Sequence, residues 1–261
     1  MVEPSAKNPA VEVEPIEEGA YWRVVLGGSK GNIIDTTMIG ALTGVFREAK
    51  KARDLKAVCL EGRGRHFSFG ASVPEHQPGK VEKMLPSFHG LFPVMLESSV
   101  AVLAAVRGQC LGGALELASF CHRVFASPDA KLGQPEIVLG VFAPVASMFL
   151  AERVGRGKAE DVCLSGRVLD AEEALRIGLV DAVAEDPSEA ALAYAREFLL
   201  PRSASSLRFA VKAARHGLRA RLDTELKALE RLYLDELMST GDAVEGIRAF
   251  LEKRRPQWRN Q

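Results

Sequence analysis

The sequence predicts an α/β core followed by an α-helical C-terminal part. Short apolar runs of strand length alternate with amphipathic helical stretches as far as residue 126, and beyond residue 170 the patterning is almost entirely helical. The size agrees, since 261 residues that are 47% hydrophobic hold one large domain with a sizeable core, or a core with an appendage.

The elements follow in order. Residues 1–15 are polar, acidic and interrupted by Pro4, Pro9 and Pro15, and read as a flexible lead-in. Residues 16–200 read as the core and 201–261 as a C-terminal helical region. Tyr21–Leu26 is a strand ended by glycines, and Asp35 caps a helix over 36–53 whose Ile39, Leu42, Val45, Phe46 and Ala49 keep helical spacing. Residues 57–60 form a buried strand, and 74–99 are helical with a break near Pro86 and Gly90. A second buried strand covers 100–106, a glycine-opened helix 111–120, and a third strand Arg123–Ala126. Asp170 with Glu173 caps a helix over 171–176, and Asp186, Pro187 and Glu189 open one over 190–200. Helical stretches over 204–217 and 218–239 complete the pattern.

Several function classes lack support. The 34 Lys and Arg balance the 34 Asp and Glu, which argues against bulk nucleic-acid binding. The apolar stretch 138–151 is broken by Gly140, Pro144 and Ser147 and is too short to span a membrane. Residues 1–15 have no apolar run of the signal-peptide type, and Cys59, Cys110, Cys121 and Cys163 are scattered among apolar neighbours. Reduced, buried thiols in a cytoplasmic protein are the expectation. No phosphate loop, dinucleotide fingerprint or metal-ligand spacing occurs, so no metal is expected. Gly27 to Gly31 matches the nucleophile-elbow spacing around Ser29. An elbow needs its helix to begin at the serine, and here the cap is Asp35.

Two segments carry more. His66 to Ser72 and Gln109 to Ala118 each follow a buried strand and place small residues at the turn. Small residues leave backbone N–H groups open to approach, and two such groups from separate turns can hold one oxygen as an oxyanion hole. Close packing of strand against helix would explain the same glycines. Acid placement tips the balance. Glu116 lies in the first turn of an otherwise apolar helix, and Glu136 lies between apolar runs 20 residues later. One straight helix would hold them ~30 Å apart, whereas a helix, a strand and a returning loop can bring both to one place. Two carboxylates beside an oxyanion hole suit proton transfer next to a carbonyl, or activation of a water.

Together these residues resemble the crotonase (enoyl-CoA hydratase/isomerase) superfamily over residues 13–259. The resemblance rests on FSFGAS (67–72), CLGGALELA (110–118), KLGQPEIVLG (131–140), LSGRVLDAEEALRIGLVDAV (164–183) and AFLEKRRPQW (249–258). It implies a spiral of ββα units, a homo-oligomer (a trimer or a dimer of trimers) built through 201–261, and an acyl-CoA substrate. No cofactor is implied beyond the CoA that the substrate carries. It assigns the oxyanion N–H groups to Ala71 and Gly113, the two acids of a hydratase to Glu116 and Glu136, and CoA contacts to Phe250 and Lys253. It places Phe142, Ala143 and Pro144 on the acyl pocket; Met84, Leu85, Phe88 and Phe92 are candidates to close the other side, with a plain core role as the alternative.

The sequence departs from the family in two places. Ser72 stands where hydratases usually carry an acid, and Val141 to Ser147 replaces a glycine-rich loop with an apolar, stiffer wall. Both stretches, GASVPEH (70–76) and GVFAPVAS (140–147), are similar to those of the cyclohexa-1,5-diene-1-carbonyl-CoA hydratases of anaerobic benzoyl-CoA breakdown. The alternatives are a general hydratase, an isomerase or a hydrolase of linear acyl-CoA esters. An RNA-binding member, using Lys212, Arg215, Arg219 and Arg221, is the alternative of another class.

Overall fold

The computed structural model describes residues 9–261. It begins with a strand where the sequence suggests a lead-in. β1 (Val11–Ile16) pairs antiparallel with β2 (Tyr21–Leu26), Val11 opposite Leu26 and Ile16 opposite Tyr21. The flexible lead-in is therefore corrected over 11–15, and its residues 1–8 lie outside the described residues. β1 is an edge strand, where a proline such as Pro15 is tolerated. Its glutamates are neutralised from the sheet, Glu12 by Arg63 and Glu14 by Arg23.

The chain continues through α1 (Thr36–Lys51), β3 (Ala57–Gly62), α2 (Val81–Ser98), β4 (Ala101–Val106), β5 (Gln109–Leu111), α3 (Gly113–Phe120), β6 (Arg123–Ala126) and β7 (Lys131–Gly133). Then follow a 3₁₀ turn at Pro135–Leu139, α4 (Pro144–Val154), α5 (Arg156–Ser165), β8 (Val168–Asp170), α6 (Ala171–Arg176), β9 (Ala182–Val183) and α7 (Pro187–Tyr194). The C-terminal part holds α8 (Ala204–Ala214), α9 (Leu218–Arg221), α10 (Lys227–Arg231) and α11 (Gly241–Leu251), with π-type turns Leu222–Leu226 and Leu232–Glu236 on either side of α10.

Among the described residues, a larger sheet runs β1-β2-β3-β4-β6-β9 and a smaller one β5-β7-β8. From β2 to β9 the large sheet is parallel. Each turn of chain places one strand in the large sheet, one short strand in the small sheet, and then a helix. Thus β4, β5 and α3 form one ββα unit, and β6, β7 and α4 the next. The short strands stack in register: Ser68 bridges Cys110 in parallel, and Cys110 pairs with Leu132. The residues just beyond them, Ala71, Gly113 and Glu136, are thereby brought side by side from three turns of the spiral.

Three helices differ from expectation. α2 runs unbroken through Pro86 and Pro93. An internal proline costs a helix roughly 3 kcal/mol. The helix persists because Val81, Met84, Leu85, Phe88, Leu91, Phe92 and Met95 form a continuous buried face against the core. The helix expected over 111–120 starts at Gly113, because residues 109–111 extend as β5. The helix expected over 190–200 starts earlier, at Pro187, where the Asp186 carboxylate accepts the Ser188 and Glu189 N–H groups, and residues 195–199 finish it as a π-type turn. Asp35 caps α1 as expected, accepting the Met38 N–H at 2.9 Å. Such a cap is worth about 1 kcal/mol. No described helix is long and apolar enough to cross a membrane.

Candidate active site

The site begins with the two small-residue turns. Gly70 has φ +95°, and a Cβ there would lie 2.4 Å from the Leu111 carbonyl oxygen, so only glycine lets the two turns approach. Ile34 holds the first turn from its other side, donating its N–H to the Gly70 carbonyl and accepting the Ser72 N–H. The Ala71 N–H between them has no acceptor among the described residues, nor has the Gly113 N–H that opens α3. An added Cβ on Gly113 would lie 3.4 Å from the Ala71 nitrogen, which shows how close the two donors stand. Two unpaired N–H groups at one point, one of them at a helix N-terminus, form a pocket for developing negative charge on oxygen.

Both glutamates reach the same place. Glu116, on the buried side of α3, is 4% exposed, and its Oε1 accepts the Ala146 N–H at 2.8 Å in the first turn of α4. Pro144 opens that helix, so its free N–H groups face the carboxylate. Burial pushes the Glu116 carboxyl up, while the Ala146 amide, nearby His89 and the Val145 amide pull it back. Glu136 stands on the 3₁₀ turn after β7. Its Oε1 sits over Gly112, where a Cβ would come within 2.6 Å. Its Oε2 is buried with no hydrogen-bond partner among the described residues. Burial, and then the Glu116 charge, push Glu136 up to about 8. The two acids titrate as a pair, and the amide donors favour ionisation at Glu116. Glu136 thus holds its proton more firmly than an ordinary carboxyl group, and Glu116 is the acid whose anion the amide donors stabilise.

The space around them has two parts. An inner cavity is lined by the two glutamates, Ala71 and Gly113, and closed by Met84, Leu85, Phe88, Phe142, Ala143, Pro144 and Tyr233. An outer cleft of about 570 Å³ is mostly apolar and runs under α11, between Phe69, Val73, Val138, Leu139, Ile247 and Phe250. That volume falls in the usual range for small-molecule sites. Ala71, His76 and Glu136 line both parts and mark the passage between them.

The structure thus assembles Ala71, Gly113, Glu116, Glu136, Met84, Phe88, Phe142, Ala143 and Pro144 around one cavity. It places Phe250 on the outer cleft of its own chain. Lys253 does not join them; it is exposed beyond the end of α11 and lines neither space. Two residues of the site escaped the sequence reading. His76 places Nδ1 2.9 Å from the Ser72 carbonyl oxygen, which can only accept, so its Nε2 carries a lone pair. Burial holds this imidazole below its ordinary pKa, and thus neutral. Tyr233 comes from the C-terminal helices, where an aromatic residue at helical spacing reads as ordinary core. No group of three or more His, Cys, Asp or Glu that could hold a metal occurs among the described residues.

The basic residues of the RNA-binding alternative are largely engaged. Arg215 stacks on Phe120 at 4.9 Å and donates to its carbonyl oxygen. Arg219 pairs with Glu97 and Asp223, and Arg221 with Glu152 and Glu225. They form no free basic stripe.

Known proteins share the sequence and the fold. The chain is 52% identical over 244 residues to the cyclohexa-1,5-dienecarbonyl-CoA hydratase of Thauera aromatica, covering 94% of this chain and 95% of that one. It is 33% identical over 213 residues to the mevalonyl-coenzyme A hydratase of Aspergillus fumigatus, covering 78% of each. The fold matches the crystal structure of an enoyl-CoA hydratase from Mycobacterium avium subsp. paratuberculosis with TM-score 0.82 and 26% identity, over 96% of this chain and 99% of that one. The family profile for enoyl-CoA hydratase/isomerase matches residues 27–261, which include every group placed at the inner cavity, and the chain belongs to that family.

Proposed function

We propose that the protein hydrates a cyclic conjugated dienoyl-CoA, cyclohexa-1,5-diene-1-carbonyl-CoA, to 6-hydroxycyclohex-1-ene-1-carbonyl-CoA. The observation that carries the reading is the meeting of Glu116 and Glu136 in one mostly apolar cavity beside two unpaired N–H groups. The 52% identity to a hydratase of this ring ester supports the choice of acyl group. At 33% identity the named acyl group is a different one, so likeness at that level does not select a substrate.

In this reading the Ala71 and Gly113 N–H groups hold the thioester oxygen. Glu116 removes a proton from water as the oxygen bonds to the β-carbon. Electrons move onto the thioester oxygen, and the resulting enolate extends through the ring's second double bond. Glu136 then gives its proton to the γ-carbon of that double bond. Protonation there leaves the remaining double bond conjugated with the thioester, whereas protonation at the α-carbon would not. Transfer of the proton from Glu116 to Glu136 restores the starting state. The electrostatic grip on the oxygen stabilises the transition state more than the ground state. Phe142, Ala143 and Pro144 give the flat ring a stiff apolar wall, and the flexible Met84 side chain gives way to admit it. The outer cleft takes the CoA arm. The assembly is proposed to be a trimer or a dimer of trimers, which light scattering would measure.

The test compares crotonyl-CoA with the cyclic dienoyl ester under identical conditions. The cyclic ester should have the higher kcat/KM by at least ~10-fold, a difference of about 1.4 kcal/mol in transition-state binding. Equal or better turnover of crotonyl-CoA would overturn the ring assignment and leave a general hydratase.

A further inference from the structure

The inner cavity holds a buried hydroxyl that the two-glutamate mechanism leaves unused. Tyr233 is 1% exposed, and its hydroxyl is buried with no hydrogen-bond partner among the described residues. A sealed hydroxyl without a partner is destabilising, and a position that retains one calls for an occupant of the cavity to pair with it. The ring is held without help from the hydroxyl: it stands edge-on to Phe142, with centroids 5.4 Å apart and planes at 61°. Tyr233 lies on the π-type turn Leu232–Glu236, and such a turn shifts the direction in which side chains leave a helix.

The other buried side-chain atom of this cavity without a partner among the described residues is Glu136 Oε2. The free space between the lining groups is about 20 Å³, room for one water. A water there has Glu116, Glu136 and Tyr233 around it, within the two to four polar partners that a buried water needs. Burial, and then the negative charge of the glutamate pair, push the phenol well above its ordinary pKa, so it stays neutral and can both donate and accept.

We propose that Tyr233 is a catalytic residue whose hydroxyl oxygen accepts the hydrogen that stays on the attacking water, and later the hydrogen of the product's new hydroxyl. Of the two water hydrogens, one goes to Glu116 and the other stays bonded to oxygen and points at Tyr233. One oxygen lone pair is then left to form the C–O bond to the β-carbon. The contact fixes the water's orientation throughout, which is how a positioned partner lowers a barrier. The proposal rests on the hydratase reading and adds a contact to the hydroxyl that is formed.

The experiment replaces Tyr233→Phe, which keeps the ring and its packing on Phe142 and removes only the oxygen. Binding is measured by calorimetry in a Glu136→Gln background, which slows turnover. The probes are 6-hydroxycyclohex-1-ene-1-carbonyl-CoA and cyclohex-1-ene-1-carbonyl-CoA, which differ by the hydroxyl alone. We expect Tyr233→Phe to weaken binding of the hydroxylated ester about 10-fold and to leave the other unchanged. With Glu136 intact, the hydration kcat of Tyr233→Phe should fall roughly 10- to 100-fold with KM little changed and the melting temperature not lowered. Equal weakening of both esters, or no weakening of either, overturns the proposal. If the protein binds neither ring ester, the ring assignment fails by itself. The same comparison with 3-hydroxybutyryl-CoA and butyryl-CoA then decides the role of Tyr233.

Discussion

The inner cavity and the outer cleft share Ala71, His76 and Glu136, yet they are built in opposite ways. In the inner cavity each polar group comes from a rigid turn or helix start, and solvent is shut out by Met84, Phe88, Phe142 and Pro144. In the outer cleft the walls are apolar side chains that remain half in water: Phe69 is 45% exposed, Val138 57% and Phe250 53%. A low-dielectric cavity magnifies every charge and proton shift inside it. A half-solvated wall contributes many small terms, none of them decisive. Single substitutions should therefore act strongly on turnover in the first region and weakly on affinity in the second.

The largest effects belong to the acid pair. Glu116→Gln and Glu136→Gln keep the shape of the carboxyl and remove proton transfer. Each should lower kcat by roughly 10²–10⁴, the range for a lost general acid or base. Turnover near the wild-type rate in either variant would break the comparison at its strongest point. Gly113→Ala comes next. It keeps the N–H donor but brings a methyl to 3.3 Å from both the Ala71 Cβ and the Phe88 Cζ, at the place assigned to the thioester oxygen. Activity should fall roughly 10²-fold, the scale of a lost oxyanion contact, while circular dichroism stays that of the wild type. Unchanged turnover would place the oxygen elsewhere.

How far these groups were legible in the sequence follows the same division. Glu116, Glu136 and the two small-residue turns stood out because a carboxylate in an apolar run and a glycine beside a strand end are both locally conspicuous. The register that unites them was not visible. β5, β7 and β8 are three residues each, too short to show any periodicity, and only their stacking explains why Ala71, Gly113 and Glu136 meet. β1 was missed because Pro9 and Pro15 outweighed the alternation of Val11 and Val13 with Glu12 and Glu14. Pairing with β2 is a long-range term that local composition does not contain. The break expected in α2 failed for the related reason that tertiary burial outweighs a local proline penalty.

A smaller effect sharpens the electrostatic half of the comparison. The Glu136 carboxyl titrates near 4.5 when the chain is unfolded and is held up at about 8 in the folded protein. Between these values the folded state keeps a proton that the unfolded state has released, so stability falls as pH rises through the window. Below it both states are protonated, and above it the loss is complete. Glu136→Gln has no such proton. Its melting temperature should therefore gain on the wild type as pH is raised from 5 to 9, and parallel curves would show that Glu136 ionises freely in the fold. With Glu136 intact, the hydration rate should also decline above about pH 8, where the proton donor is lost.

The smallest effects lie on the C-terminal segment and separate two residues that the family resemblance treats alike. Phe250 lines the outer cleft from α11, though half its surface stays in water. Removing its ring should cost about 1 kcal/mol of CoA-ester affinity, a roughly 5-fold rise in KM with kcat unchanged. Lys253 sits three residues further on, past the helix end, with φ +54° and its side chain in solvent. An ion pair between this solvent-exposed ammonium and a CoA phosphate would be worth less than about 1 kcal/mol and would be screened by salt. In Lys253→Ala, KM should therefore rise no more than about 3-fold at low salt, and the rise should vanish at high salt. A larger loss for Lys253→Ala than for Phe250→Ala would mean that the CoA arm is held by charge rather than by the apolar wall. The outer cleft would then share the electrostatic character of the inner cavity, and the contrast between the two regions would collapse.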